Sequence, residues 1–123
     1  MRKTIHAVSA ATAVTKSKND QVRAALLDHR DDGSDERNIF HYFYPRRTNA
    51  VRARELGSEL VALGLKLKAT SSGGGLVAEE FGEVASSGFD NLTQHFSEIA
   101  ERSGFEYDGW ECEVKQSPSD VLS

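Results

Sequence analysis

The side chains best suited to metal binding or nucleophilic chemistry are four histidines, His6, His29, His41 and His95, and one cysteine, Cys112. No two histidines stand at the short spacing that zinc sites use. A single cysteine excludes an intramolecular disulfide and a multi-cysteine zinc site. No metal and no cofactor are expected. Serines and threonines are plentiful, but no Gly-x-Ser-x-Gly elbow presents one as a nucleophile. Cys112 falls mid-strand on the side expected to be buried, where a thiol is inert packing. His41 falls inside an apolar strand and reads as a half-buried imidazole hydrogen-bonded across a sheet.

Other local patterns resolve in the same direction. Gly73-Gly74-Gly75 lacks the following Lys-Ser or Lys-Thr, and a strand comes next instead of the helix N-terminus a phosphate cradle needs. Asp31-Asp32-Gly33-Ser34-Asp35 has the composition of a calcium loop without its ligand spacing or closing glutamate. Asn91-Leu92-Thr93 matches a glycosylation acceptor but sits in an expected helix. Glu79, Glu80, Glu83, Glu106, Asp108, Glu111 and Glu113 show no spacing that would give two carboxylates unlike environments, which acid–base catalysis requires. A binding surface accounts for them better, and Glu79, Glu83, Glu106, Asp108, Glu111 and Glu113 are the expected partner contacts. Arg46, Arg47, Arg52 and Arg54 cluster at the start of a helix and read as a solvated face. No enzyme is indicated.

Charge is unevenly spread along the 123 residues. Residues 1–70 carry 13 Lys and Arg against 8 Asp and Glu, whereas residues 71–123 carry 2 against 11. An acidic C-terminal half repels phosphate, so no direct nucleic-acid contact is expected. It suits a basic protein partner instead. No apolar run approaches the ~20 residues of a membrane helix. The Ala- and Thr-rich lead-in is too polar for a signal-peptide core, and a cytoplasmic location is expected.

These residues need elements to hold them. Residues 1–16 have no strong period and form an arm or a loosely attached strand. Asn19 or Asp20 caps a helix to about His29, with Val22, Ala25 and Leu26 on its apolar face. The Asp31–Asp35 turn follows, its aspartates in water and Gly33 left-handed. Asn38 to Tyr44 is a strand apolar on both sides, stopped by Pro45. Thr48 or Asn49 caps a second helix with Ala53, Leu56, Leu60 and Leu63 facing inward and Gly64 just past its end. Leu65 to Ala69 alternates apolar with Lys. After the Ser71–Gly75 connection, Leu76 to Val84 is a returning strand whose inward set is left open. Ser86 or Asp90 starts a third helix with Leu92, Phe96 and Ile99 inside and Phe89 beside its first turn, ending at Gly104. Phe105 to Val114 is the last strand, with Gly109 marking a bulge or a close backbone approach and Glu111 and Glu113 opposite Trp110, Cys112 and Val114.

Leaving the first helix aside, the order βαββαβ is the split βαβ, or ferredoxin-like, α+β arrangement. It predicts an antiparallel sheet of order 4-1-3-2 with the helices on one face and the last strand at an edge. The extra helix precedes it. The other face stays open for binding. The expected organisation is an arm over 1–16, a domain over 17–115 and a tail over 116–123.

The aspartate turn Asp32-Gly33-Ser34-Asp35 before the His41 strand, the helix end Leu60-Val61-Ala62-Leu63-Gly64, and above all Tyr107-Asp108-Gly109-Trp110 resemble the regulator of ribonuclease activity B (RraB) family over about residues 19–115. Asp32, Gly33, His41, Gly64, Tyr107, Asp108, Gly109 and Trp110 carry the likeness as structural signature positions. The resemblance implies a ferredoxin-like domain without catalytic activity that binds the endoribonuclease RNase E and inhibits RNA cleavage. A second expectation, of another class, is an immunity protein that neutralises a toxin nuclease.

Overall fold

The computed structural model describes residues 4–6, 15–69 and 75–115. Its elements are β1 (Thr4–His6), α1 (Thr15–Leu27), β2 (Arg37–Pro45), α2 (Ala50–Ala62), β3 (Lys66–Ala69), β4 (Leu76–Gly82), α3 (Ser87–Arg102) and β5 (Phe105–Glu113). The expectations for the rest of the arm, the Ser71–Gly74 connection and the tail lie outside the described residues.

The sheet runs β1-β5-β2-β4-β3, with every neighbouring pair antiparallel. The four strands after α1 therefore take the order 4-1-3-2 that the split βαβ reading predicts. The last strand is not an edge, however. Thr4 and His6 pair opposite Glu113 and Glu111, so β5 is covered by β1.

Strict alternation in β2 decides which side is which. Arg37, Ile39, His41 and Phe43 are buried, while Asn38, Phe40, Tyr42 and Tyr44 face the other way. The buried set meets Val22 and Leu26 of α1, Leu56 and Leu60 of α2, and Phe96 and Ile99 of α3. Each such apolar side chain contributes about 1.5–3 kcal/mol by leaving water. The register of β4 is settled by its partners. Ala78 is opposite His41 and points inward with Glu80, leaving Val77, Glu79 and Phe81 on the open side.

The expected caps form. Asn49 Oδ1 accepts from Arg52 N at 2.9 Å, and Ser86 Oγ accepts from Phe89 N at 3.2 Å. At the end of α2, Gly64 (φ 95°) donates to Val61 O and Leu65 N donates to Leu60 O, a Schellman turn. That turn corrects one expectation. Leu63 swings out to 44% exposure, and Leu65 takes the buried place instead. The start of α1 is a second correction. The helix begins at Thr15, so Asn19 lies within it and does not cap it.

Candidate functional site

Among the described residues, three polar groupings are buried. Arg37 and Asp31 form a bidentate pair at 2.6 and 2.9 Å, both side chains almost wholly buried. Arg37 also donates to Asp35 O and Glu113 O, and Asp31 accepts from the amides of Gly33 and Lys115. Burial pushes the Asp31 carboxyl up, but the Arg37 guanidinium and these amides outweigh it and hold the group below its ordinary value. Asp31 is thus not in water as its turn setting implies. The pair ties the end of β5 to the start of β2.

His41 is fully buried rather than half-buried. Its Nε2 lies 2.6 Å from Glu80 Oε1 on one neighbouring strand and its Nδ1 2.8 Å from Tyr107 Oη on the other. Burial lowers the His41 pKa, and the Glu80 carboxylate opposes this without prevailing. Burial also raises the Tyr107 phenol, so its proton stays on and is donated to Nδ1. Nε2–H then donates to Glu80, which assigns the tautomer. The sequence resembles an acid–base relay, but Phe89 and Phe96 pack on the imidazole and both its nitrogens are taken. What it does chemically is join three strands.

Asn19 is the third. Its Nδ2 donates to Asp90 Oδ1 and Thr93 Oγ1, and its Oδ1 accepts from Trp110 Nε1 at 2.8 Å. Cys112 is buried, which pushes its thiol up to about 11 and leaves it protonated. Among the described residues, no three His, Cys, Asp or Glu side chains group so as to hold a metal ion.

The sheet face away from the helices has a different chemistry. β2 contributes Phe40, Tyr42 and Tyr44, and β4 adds Phe81, which is 63% exposed. Phe40 has Glu79 opposite on β4 and Glu111 opposite on β5, so one ring is flanked by two carboxylates. Tyr42 donates its phenol proton to Glu111. Partial burial and that carboxylate both raise the Tyr42 pKa. From the outer strand β3, Lys68 Nζ lies 3.1 Å from Glu79 and 5.3 Å from the Phe40 ring centre. An aromatic face between carboxylates holds a cation by charge and by the ring quadrupole together.

The structure brings Glu79, Glu111 and Glu113 to this face. Glu106 joins it along β5, opposite Tyr44 and 3.9 Å from Arg46. Asp108 sits at the β5 bulge, where the register shifts between His41 and Phe43 and Gly109 takes φ 97°. Glu83 is elsewhere. Its carboxylate accepts from the amides of Ala85 and Ser86 and from Ser86 Oγ, holding the turn into α3. Of the signature positions, Asp32 folds its own turn by accepting from Ser34, and Gly33 O accepts from Val84 N. His41, Tyr107 and Trp110 are core. Arg37 was missed by the sequence reading, although its place two residues before Ile39 on the inward side is a signal for a buried cation with a nearby acid.

Among the described residues, no helix is long and apolar enough to cross a membrane. No curated protein matches the chain. The model of one family, described as regulator of ribonuclease activity B, matches residues 16–112. With most of the chain inside that match and the split βαβ sheet in place, the chain belongs to the regulator of ribonuclease activity B family.

Proposed function

We propose that this protein binds an RNase E-like ribonuclease and lowers RNA cleavage without chemistry of its own, seating a basic segment of the enzyme on the open sheet face. Membership of a ribonuclease-regulator family supports the class of partner. The observation that carries the mode is Lys68, whose ammonium lies over Phe40 and beside Glu79. The face already holds one cation in this way, and an Arg or Lys of the partner meets the same aromatic and carboxylate groups. Glu106, Asp108, Glu111 and Glu113 extend the negative field along β5 and steer a basic segment toward it. Phosphate is repelled by the same field, which favours the enzyme over its RNA as the bound species.

The test is calorimetric titration of a purified RNase E-like enzyme with the wild-type protein and with the Glu111→Lys/Glu113→Lys variant. The variant is expected to bind more weakly, with a shallower salt dependence, and to inhibit cleavage less. Unchanged affinity from a variant with native circular dichroism would remove the open face from the interface.

A further inference from the structure

The opposite side of the outer strand carries a second surface. β3 hydrogen-bonds only to β4 among the described residues, so its outer edge presents backbone donors and acceptors. Beside it, α2 leaves an apolar groove of about 640 Å³ whose lining includes Ala53, Arg54, Gly57, Val61, Leu67 and Leu76. At Gly57 a Cβ would stand 3.0 Å from Leu67 Cδ1, so the glycine leaves the Leu67 side chain its present place against α2. Val61 and Leu67 are 54% and 37% exposed.

Alternation specifies what could add to this edge. Lys66 and Lys68 share the open-face side with Glu79 and Val77, while Leu67 faces the groove. A strand laid against β3 sets its side chains in the same alternation. The one beside Lys66 meets an exposed ammonium group, while Lys68 is turned onto Glu79 and Phe40, and the one beside Leu67 enters the apolar groove next to Val61. A second copy of the chain fits badly. Antiparallel pairing of two β3 strands about Leu67 would set Lys66 against the other copy's Lys68, and like charges directly opposite are destabilising.

We propose that the α2–β3 groove takes an extended segment of a partner protein that alternates carboxylates with bulky apolar residues, bound by strand addition to β3. Lys66 acts as a filter, admitting an acidic strand and rejecting a neutral or basic one. The groove lies on the helix side of β3, away from Glu111 and Glu113, and the two surfaces adjoin along β3, where Lys68 reaches Glu79 and Phe40.

The test uses fluorescence anisotropy with a short dye-labelled peptide alternating Glu with Leu. Saturable binding to the wild-type protein is expected, weakened about tenfold or more by Val61→Glu and by Lys66→Glu, a change of about 1.4 kcal/mol or more. The Glu111→Lys variant should bind the peptide as the wild type does, which separates this site from the open face. The same peptide N-methylated at the amides facing β3, and a Lys/Leu counterpart, should not bind. Should Val61→Glu fail to fold, the exposed Lys66→Glu variant and the N-methylated peptide carry the test. No saturable binding, equal binding by the N-methylated peptide, or indifference to Lys66→Glu would overturn the proposal. So would displacement of the peptide by an RNA oligomer, or a concentration-dependent dimer in sedimentation that Lys66→Glu alters.

Discussion

Asn19 Oδ1 accepts a hydrogen bond from Trp110 Nε1 at 2.8 Å, joining α1 to β5 across 91 residues of sequence. The amide also holds Asp90 and Thr93 of α3, so one buried side chain ties three elements. Trp110→Ala should cost about 3–5 kcal/mol, as for other large core deletions. Trp110→Phe keeps an aromatic edge against Phe89, now 4.9 Å between ring centres, but leaves the Asn19 carbonyl without its donor. That loss alone should cost about 1–3 kcal/mol. Urea unfolding of both variants separates packing from hydrogen bonding. A shift of a few tenths of a kcal/mol for Trp110→Ala would contradict its burial.

Stability should fall with acidity in two windows. Burial depresses the His41 pKa below the ordinary 6.5, so the unfolded chain takes up a proton that the folded one refuses. Its contribution is complete above about pH 6.5 and declines as the pH drops from there, by at most about 1.4 kcal/mol per unit. Asp31 acts lower. Its pKa is held below 3.8, so its contribution is present above that value and is lost as the pH falls beneath it. Urea midpoints measured between about pH 7 and pH 3 should show both declines. A flat profile between neutrality and about pH 5 would mean that His41 takes up its proton as readily in the fold as in the unfolded chain.

Removing one member of the Arg37–Asp31 pair should be far worse than removing both. Asp31→Ala strands a buried guanidinium and should cost about 3–5 kcal/mol. Arg37→Met combined with Asp31→Ala leaves no unpaired buried charge. The double variant should be more stable than Asp31→Ala alone by thermal denaturation, and the reverse order would show the pair to be solvated.

Two glycines should respond oppositely to alanine. Gly104 has φ 75°, and a Cβ there would stand 2.0 Å from Arg47 O, a backbone atom. Its own carbonyl accepts from the amides of Arg46 and Arg47, so the two segments cannot separate freely. Gly104→Ala should cost more than about 2 kcal/mol. Gly88, in the first turn of α3, meets only Ser86 Oγ at 3.4 Å, and Gly88→Ala should gain about 0.5–1 kcal/mol. Differential scanning calorimetry of the pair checks both signs.

The cation over Phe40 can be removed without touching the core. Lys68 is 57% exposed and Phe40 faces outward. Lys68→Ala should leave stability within about 0.5 kcal/mol. It should strengthen ribonuclease binding, because the partner's cation no longer competes for the ring and Glu79. Phe40→Ala should weaken the same binding. Equal affinities for all three proteins would show that the ring takes no part.

Local patterns determined much of this molecule. The alternation from Asn38 to Tyr44, the three-and-four spacing of Ala53, Leu56 and Leu60, the cap choices Thr48 or Asn49 and Ser86 or Asp90, the turn at Gly64 and the irregularity at Gly109 all act between residues close in the chain. Each is therefore legible from residue types alone, and together they specify the order βαββαβ. The acidic excess of the C-terminal half is equally plain. Tertiary structure decided what depends on distant partners. The inward set of β4 followed from Glu80 reaching His41, and Asn19, inside α1, found its partners in Trp110, Asp90 and Thr93. Asp31 left water because Arg37 was buried beside it, and β5 gained a neighbour from residues at the far end of the chain. Buried polar groups must be paired, but nothing local says with what. Pairing across the sheet is set only when strands from opposite ends of the sequence meet.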